Sequence, residues 1–131
     1  MMADSFEIST MLPASAQQIY EAWLSSDEHS AMTSGTAQID PTVGGKFSVW
    51  DGYITGTTLE LEPQRRIVQS WRTAEFPADA PDSRLELLLE ENAEGTRLTL
   101  KHGDLPDGQG SAYESGWVSN YFDPMKDYFS D

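Results

Sequence analysis

The side chains in this sequence with the most obvious chemical potential are two histidines, 22 carboxylates and a scatter of serines. There is no cysteine, which removes thiolate nucleophiles, disulfides and zinc-thiolate sites. A metal site built on His29 and His102 would need carboxylates brought in from elsewhere in the chain. His29 lies in a short polar stretch and is expected at the surface. His102 continues the inward parity of Leu98 and Leu100, which predicts a hydrogen-bonding group at the rim of the interior. A general base needs an orienting partner and a nucleophile, and neither lies near His102 in sequence. No serine sits in a Gly-x-Ser-x-Gly elbow, and no Gly-x-Gly-x-x-Gly or Walker loop occurs. Glu60, Glu62, Glu86, Glu90, Glu91 and Glu94 fall at outward or turn positions, which disfavours a carboxylate-driven hydrolase. The spacing of a calcium loop is absent as well. The expectation is a non-catalytic chain with no cofactor and no metal.

The aromatic residues carry more information. By parity Trp23, Phe47, Trp71, Phe76, Trp117 and Tyr121 project toward one interior space, accompanied by the polar groups of Thr10, Gln69 and His102. Two readings stand open: an ordinary filled core, or a mostly apolar pocket for a small ligand. The candidate lining is therefore Trp23, Phe47, Gln69, Trp71, Phe76, His102, Trp117 and Tyr121.

The elements that must position these residues follow from period and punctuation. Phe6, Ile8, Thr10 and Leu12 alternate with polar neighbours as in a half-buried strand closed by Pro13. Ser15 and Gln18 have the form of a capping box, and Ile19, Tyr20, Trp23 and Leu24 recur at helical spacing, predicting a short helix from about Ala16. Ser26, Asp27 and Glu28 predict a second short helix reaching Met32, followed by a loop over 33–36. From Ala37 the turn signals Gly44-Gly45, Asp51-Gly52, Glu62-Pro63 and Glu94-Gly95 predict antiparallel hairpins. Asp51-Gly52 suits a two-residue type I′ turn with Trp50 opposite Tyr53. A bulge at Gly56 would then bring Phe47, Val49, Ile54, Leu59 and Leu61 onto one apolar face. Ile67 with Trp71, the Leu85, Leu87 and Leu89 set, and Leu98 with Leu100 mark later inward faces. Their alternates, Arg66, Arg72, Arg84, Glu86, Glu90, Arg97 and Lys101, predict cross-strand charge pairing on a solvated outer face. Tyr113, Trp117, Tyr121, Met125 and Tyr128 form the stripe of a long C-terminal helix. Ser111 to Glu114 is in capping-box form, and Pro124 predicts a kink or break near Asp123 before a last turn to Phe129.

Composition bounds the function classes. The 131 residues, 38% hydrophobic, suit one domain over 1–131. Eight Lys plus Arg against 22 Asp plus Glu leave a net charge of −14, which opposes binding to nucleic acid and to anionic membrane surfaces. No apolar run exceeds three residues, whereas a spanning helix needs about 20, so neither membrane insertion nor a signal peptide is expected, and a cytoplasmic location follows by default.

The residues Ile19-Tyr20-Glu21-Ala22-Trp23, Gly44-Gly45-Lys46-Phe47, Asp51-Gly52-Tyr53-Ile54-Thr55-Gly56, Glu62-Pro63, Arg66-Ile67-Val68, Trp71-Arg72, Gly95-Thr96 and Gly116-Trp117, in this order, resemble the family of activator of heat-shock protein 90 ATPase homologues. That family belongs to the START-like, or birch-pollen-allergen-like, superfamily. The resemblance implies an α+β helix-grip fold: a curved antiparallel sheet of about six to seven strands wrapped around a long C-terminal helix, with two short helices after strand one. It also implies three functional expectations, since one fold hosts several functions. The first is a non-catalytic domain holding a small apolar or aromatic molecule between sheet and helix. The second is a protein-interaction module with a chaperone or other protein partner, and the third a polyketide-cyclase-like enzyme. Either a monomer or a homodimer is compatible with the sequence.

Overall fold

The computed structural model describes residues 4–33 and 35–130. Strand β1 (Asp4–Leu12) is followed by α1 (Ala16–Leu24) and α2 (Ser26–Thr33), then by β2 (Ala37–Ile39), β3 (Lys46–Val49), β4 (Ile54–Glu62), β5 (Arg66–Thr73), β6 (Ser83–Asn92) and β7 (Gly95–Leu105). The chain ends in α3 (Gly110–Trp117), a π-helical segment (Val118–Phe122) and α4 (Asp123–Phe129). The seven strands form one curved antiparallel sheet in the order β1-β7-β6-β5-β4-β3-β2. Leu85, Leu87 and Leu89 on β6 and Leu98 and Leu100 on β7 are buried in a core shared with Ile19 and Trp23 of α1 and Trp117 and Met125 of the C-terminal helices.

Local chemistry sets α1. Ser15 Oγ accepts the Gln18 amide at 3.1 Å, and Gln18 Oε1 accepts the Ser15 amide at 2.9 Å, so both halves of the capping box form. A third amide of this helix end, that of Ala16, donates to Glu91 Oε1 at 2.8 Å and ties α1 to the sheet. The outer face of the sheet carries part of the expected charge pairing, centred on Arg66. Arg66 meets Glu60 at 2.8 Å, Glu62 at 3.1 Å and Glu86 at 2.5 Å, and Arg72 meets Asp82 at 2.7 Å.

The β3–β4 hairpin has the expected register, with Val49 paired to Ile54 and the Tyr53 amide donating to the Trp50 carbonyl across Asp51-Gly52. Left-handed backbone extends one residue further than a two-residue turn requires: Trp50 (φ 53°), Asp51 (φ 55°) and Gly52 (φ 90°) all have positive φ. The bulge does not lie at Gly56, which pairs regularly with Phe47. The register shifts instead between Thr58 and Glu60, turning Leu59 out to solvent while Thr58 points inward and is fully buried. Gly56 serves a different purpose. A Cβ there would lie 2.0 Å from the Ser70 carbonyl oxygen and 2.5 Å from the Phe47 ring, so the glycine makes room for Phe47 on the inner face.

The C-terminal helix also differs from expectation at its start. Ser111 lies inside α3 and caps nothing; Gln109 occupies the N-cap without a side-chain bond. The exposed amides of this helix end are met from the far end of the chain, because Asp4 Oδ2 accepts from Gly108 N at 3.0 Å and Gly110 N at 2.8 Å. Near Pro124 the helix widens rather than breaks. Pro124 has no amide to donate and its ring crowds the preceding turn, and the π-helical segment relieves this immediately before it, with the Asp123 amide reaching back to the Val118 carbonyl. Tyr128, expected on the apolar stripe, is exposed and donates to Glu28 Oε1 at 3.1 Å.

Candidate functional site

All eight candidate lining residues are buried. Trp23, Phe47, Gln69, Trp71, Trp117 and Tyr121 surround one interior gap beneath the C-terminal helix. His102 and Phe76 are not among the residues around the gap but pack against Trp71, with ring centroids 4.6 Å and 6.1 Å away. The gap has a volume of about 10 Å³, at the lower limit for a single water molecule. Stacked and tilted rings fill the rest: Trp23 against Trp117 at 6.1 Å, Trp117 against Tyr121 at 4.7 Å, and Trp23 against Tyr121 at 5.1 Å. Among the described residues no buried side-chain nitrogen or oxygen lacks a partner. Trp23 Nε1 donates to Gln69 Oε1 at 3.2 Å, and Gln69 Nε2 donates to Thr58 Oγ1 at 3.2 Å.

His102 and Ser83 approach within 2.8 Å, which invites comparison with a base–nucleophile pair. The donors and acceptors decide against it. Trp117 Nε1 can only donate, and it meets His102 Nδ1 at 3.0 Å, so the ring proton sits on Nε2 and is given to Ser83 Oγ. Ser83 in turn donates to the Trp71 carbonyl at 2.6 Å. The imidazole has no lone pair left to take the serine proton, and burial pushes its pKa down to about 3. The group is a neutral structural bridge between β7, β6, β5 and α3, deeper than the rim position expected for it.

His29 is also buried, contrary to the surface position its polar neighbourhood predicts. Its Nδ1 donates to the Trp23 carbonyl at 2.9 Å, and its Nε2 accepts from Tyr121 Oη at 2.8 Å. Burial lowers the histidine pKa and raises that of the Tyr121 phenol, so both are neutral at physiological pH. The sequence carried no local sign of this bond, whose partners lie 92 residues apart. Among the described residues no cluster of three or more His, Asp or Glu could hold a metal.

The aromatic-lined opening lies at the rim, not in the interior. A cleft of about 230 Å³ runs between the β3–β4 hairpin tip and the C-terminal helix, lined by Trp50, Tyr53, Tyr113 and Asn120 and floored by Trp71, Trp117 and Tyr121. Three of the eight candidates thus form its base, while Trp50, Tyr53, Glu75 and Asn120 lie outside that set. A local signal for the first two existed, since they flank the Asp51-Gly52 turn. One wall is locked by a closed circuit of hydrogen bonds. The Glu75 amide donates to Thr73 Oγ1 at 3.1 Å, which donates to Tyr113 Oη at 2.7 Å. Tyr113 Oη donates to Gln109 Oε1 at 3.0 Å, and Gln109 Nε2 returns to the Glu75 carbonyl at 3.2 Å. The Tyr53 hydroxyl donates to the Glu75 carboxylate, and that bond pushes the Tyr53 pKa up to about 12.

The family described as Activator of Hsp90 ATPase homolog 1-like protein matches residues 13–130. The human protein named activator of 90 kDa heat shock protein ATPase homolog 1 is 26% identical over 115 residues, covering 88% of this chain and 34% of that protein. The chain thus spans about a third of the length of that curated relative. The crystal structure of an HSP90 activator from Plasmodium falciparum superposes with a TM-score of 0.87 at 23% identity, over 98% of this chain and 96% of the other. CalU16 from Micromonospora echinospora gives 0.82 at 26% identity, over 98% and 77%. No described helix is long and apolar enough to cross a membrane.

Proposed function

This chain belongs to the Activator of Hsp90 ATPase homolog 1-like family, and from that premise we propose that it is a non-catalytic protein-binding domain that docks on a chaperone ATPase of the heat-shock protein 90 class. The observation that carries this reading is the filled interior. With about 10 Å³ left between sheet and helix and every described buried polar side-chain atom paired, the place where an apolar molecule would be carried is occupied by the protein's own rings. Function then falls to the surface. The neutral, fully engaged His102 and His29 likewise support a binding role over a cyclase-like reaction, because neither has a free nitrogen to move a proton.

A net charge of −14 favours a partner with a basic face, and such a pair associates faster at low ionic strength. A cytoplasmic place of action goes with this partner class. The test is steady-state ATP hydrolysis by the heat-shock protein 90-class chaperone of the same organism, titrated with this chain. A saturable rise in rate, weakened by added salt, is the expected result. An unchanged rate, together with no complex in sedimentation, overturns the reading. Small-molecule binding is retained as a second reading because the rim cleft favours it.

A further inference from the structure

We propose that the rim cleft binds a small organic cation, a compact free molecule bearing a primary or quaternary ammonium group. The proposal stands apart from docking on a chaperone and is tested without one.

Size sets the first limit. At about 230 Å³ the cleft falls below the roughly 300 Å³ where pockets for drug-sized ligands begin, so it suits a single headgroup with a short tail. The lining sets the chemistry. Trp50, Tyr53, Tyr113, Trp71, Trp117 and Tyr121 all contribute, and aromatic faces present negative potential to a cation. Glu75 is the one charged residue of the lining. Among the described residues no lysine or arginine forms an ion pair with it, and its carboxylate is met by the neutral Tyr53 hydroxyl. The arginine closest in sequence, Arg72, is turned away, bound to Asp82 at 2.7 Å and to the Ala80 carbonyl at 3.1 Å, with its guanidinium 5.4 Å over the Phe76 ring. A neutral guest would strip water from the Glu75 carboxylate and give nothing back, whereas a cation offsets that loss. An anion is opposed by the same carboxylate and by the net charge of the chain.

A second, independent observation comes from the backbone. Trp50 has φ of 53°, a left-handed conformation that a bulky side chain adopts rarely, and one that concentrates at binding sites when the surrounding structure enforces it. That conformation sets the indole beside the cleft, its ring 5.7 Å from Tyr121 and nearly perpendicular to it at 82°. A Cβ at Gly35 would lie 1.9 Å from the same indole, so the glycine leaves the space the ring needs. The opposite wall is held by the circuit of Thr73, Tyr113, Gln109 and Glu75. The cage is thus built before any guest arrives, which lowers the cost of ordering it.

The experiment is an amide and indole NMR titration with choline, paired with its neutral isostere 3,3-dimethylbutan-1-ol. Choline should bind about three- to thirtyfold tighter than the alcohol, with shifts centred on Trp50, Tyr113 and Asn120. Glu75→Gln should weaken choline by about threefold or more and leave the alcohol bound no more weakly than before, since the carboxylate attracts only the cation and its desolvation opposes the neutral guest. Trp50→Leu should weaken choline similarly, with thermal melts checking that each variant is folded. Equal affinity for choline and the alcohol overturns the proposal, as do shifts that avoid the cleft or an absence of binding. A capped tripeptide carrying trimethyllysine that binds tighter than choline overturns the free-ligand assignment in favour of a protein side chain.

Discussion

Replacing His102 with asparagine tests the interior in a way that packing alone would not mimic. In the folded protein burial holds the imidazole neutral, with its pKa moved from 6.5 down to about 3. A base with a depressed folded pKa contributes stability in full above its unfolded pKa and loses it as pH falls toward the folded value. The window is therefore pH 6.5 to about 3. Linkage with these two values gives a loss of about 2 kcal/mol between pH 8 and pH 5, rising to about 4 kcal/mol by pH 3. Such losses are a sizeable part of the 5 to 15 kcal/mol that typical domains possess. His29, also lowered by burial, acts in the same direction but is present in both proteins and cancels in the comparison. Asparagine retains an acceptor for Trp117 Nε1 while removing the titrating ring. Urea unfolding of the wild type and of His102→Asn at pH 8, 6 and 5 should show the wild type losing about 2 kcal/mol more than the variant across that range. Parallel losses, or a His102 ring signal that titrates near 6.5, would refute the buried neutral bridge.

Three further outcomes follow from individual contacts. Gly56→Ala should destabilise by about 1 to 3 kcal/mol or more in urea unfolding, because the new methyl meets the Ser70 carbonyl and the Phe47 ring; a neutral result would place the close approach elsewhere. Tyr121→Phe removes the donor to His29 Nε2 and strands a buried acceptor, with an expected cost of about 1 to 3 kcal/mol, and wild-type stability in that variant would show the bond to be absent in solution. Asp4→Ala should cost about 1 kcal/mol by freeing the amides of Gly108 and Gly110, with Asp4→Asn recovering part of it; hydrogen exchange at those two amides reports the change directly.

Features encoded over a few residues were legible in the sequence. The Ser15 and Gln18 capping box, the β1 alternation and the Asp51-Gly52 turn depend on neighbours within three or four positions, so their patterns survive without tertiary knowledge. Pro124 likewise disturbed the helix where its missing amide required, though as a widened turn. The misreadings all involve distant partners. Gly56 looked like a bulge, yet its role depends on the Phe47 ring across the ladder, and the register slip at Leu59 follows from pairing with β5. His29 sits in a polar helix but is claimed by Tyr121, and α3 is capped by Asp4 more than a hundred residues away. Parity turned the six aromatic candidates inward, where they are buried, but set His102 at a rim when its partners on β6 and α3 draw it deeper. Whether that interior is empty depends on how Trp23, Trp117 and Tyr121 tilt against one another, and spacing along the chain carries no such angle.

Native mass spectrometry of the purified chain mixed with the heat-shock protein 90-class chaperone of the same organism tests the filled-core, surface-docking account most directly. The account predicts that the chain enters a mixed complex and keeps its bare mass throughout, because its interior has about 10 Å³ to offer. A chain that retains an apolar molecule through purification, and forms no complex, would contradict it.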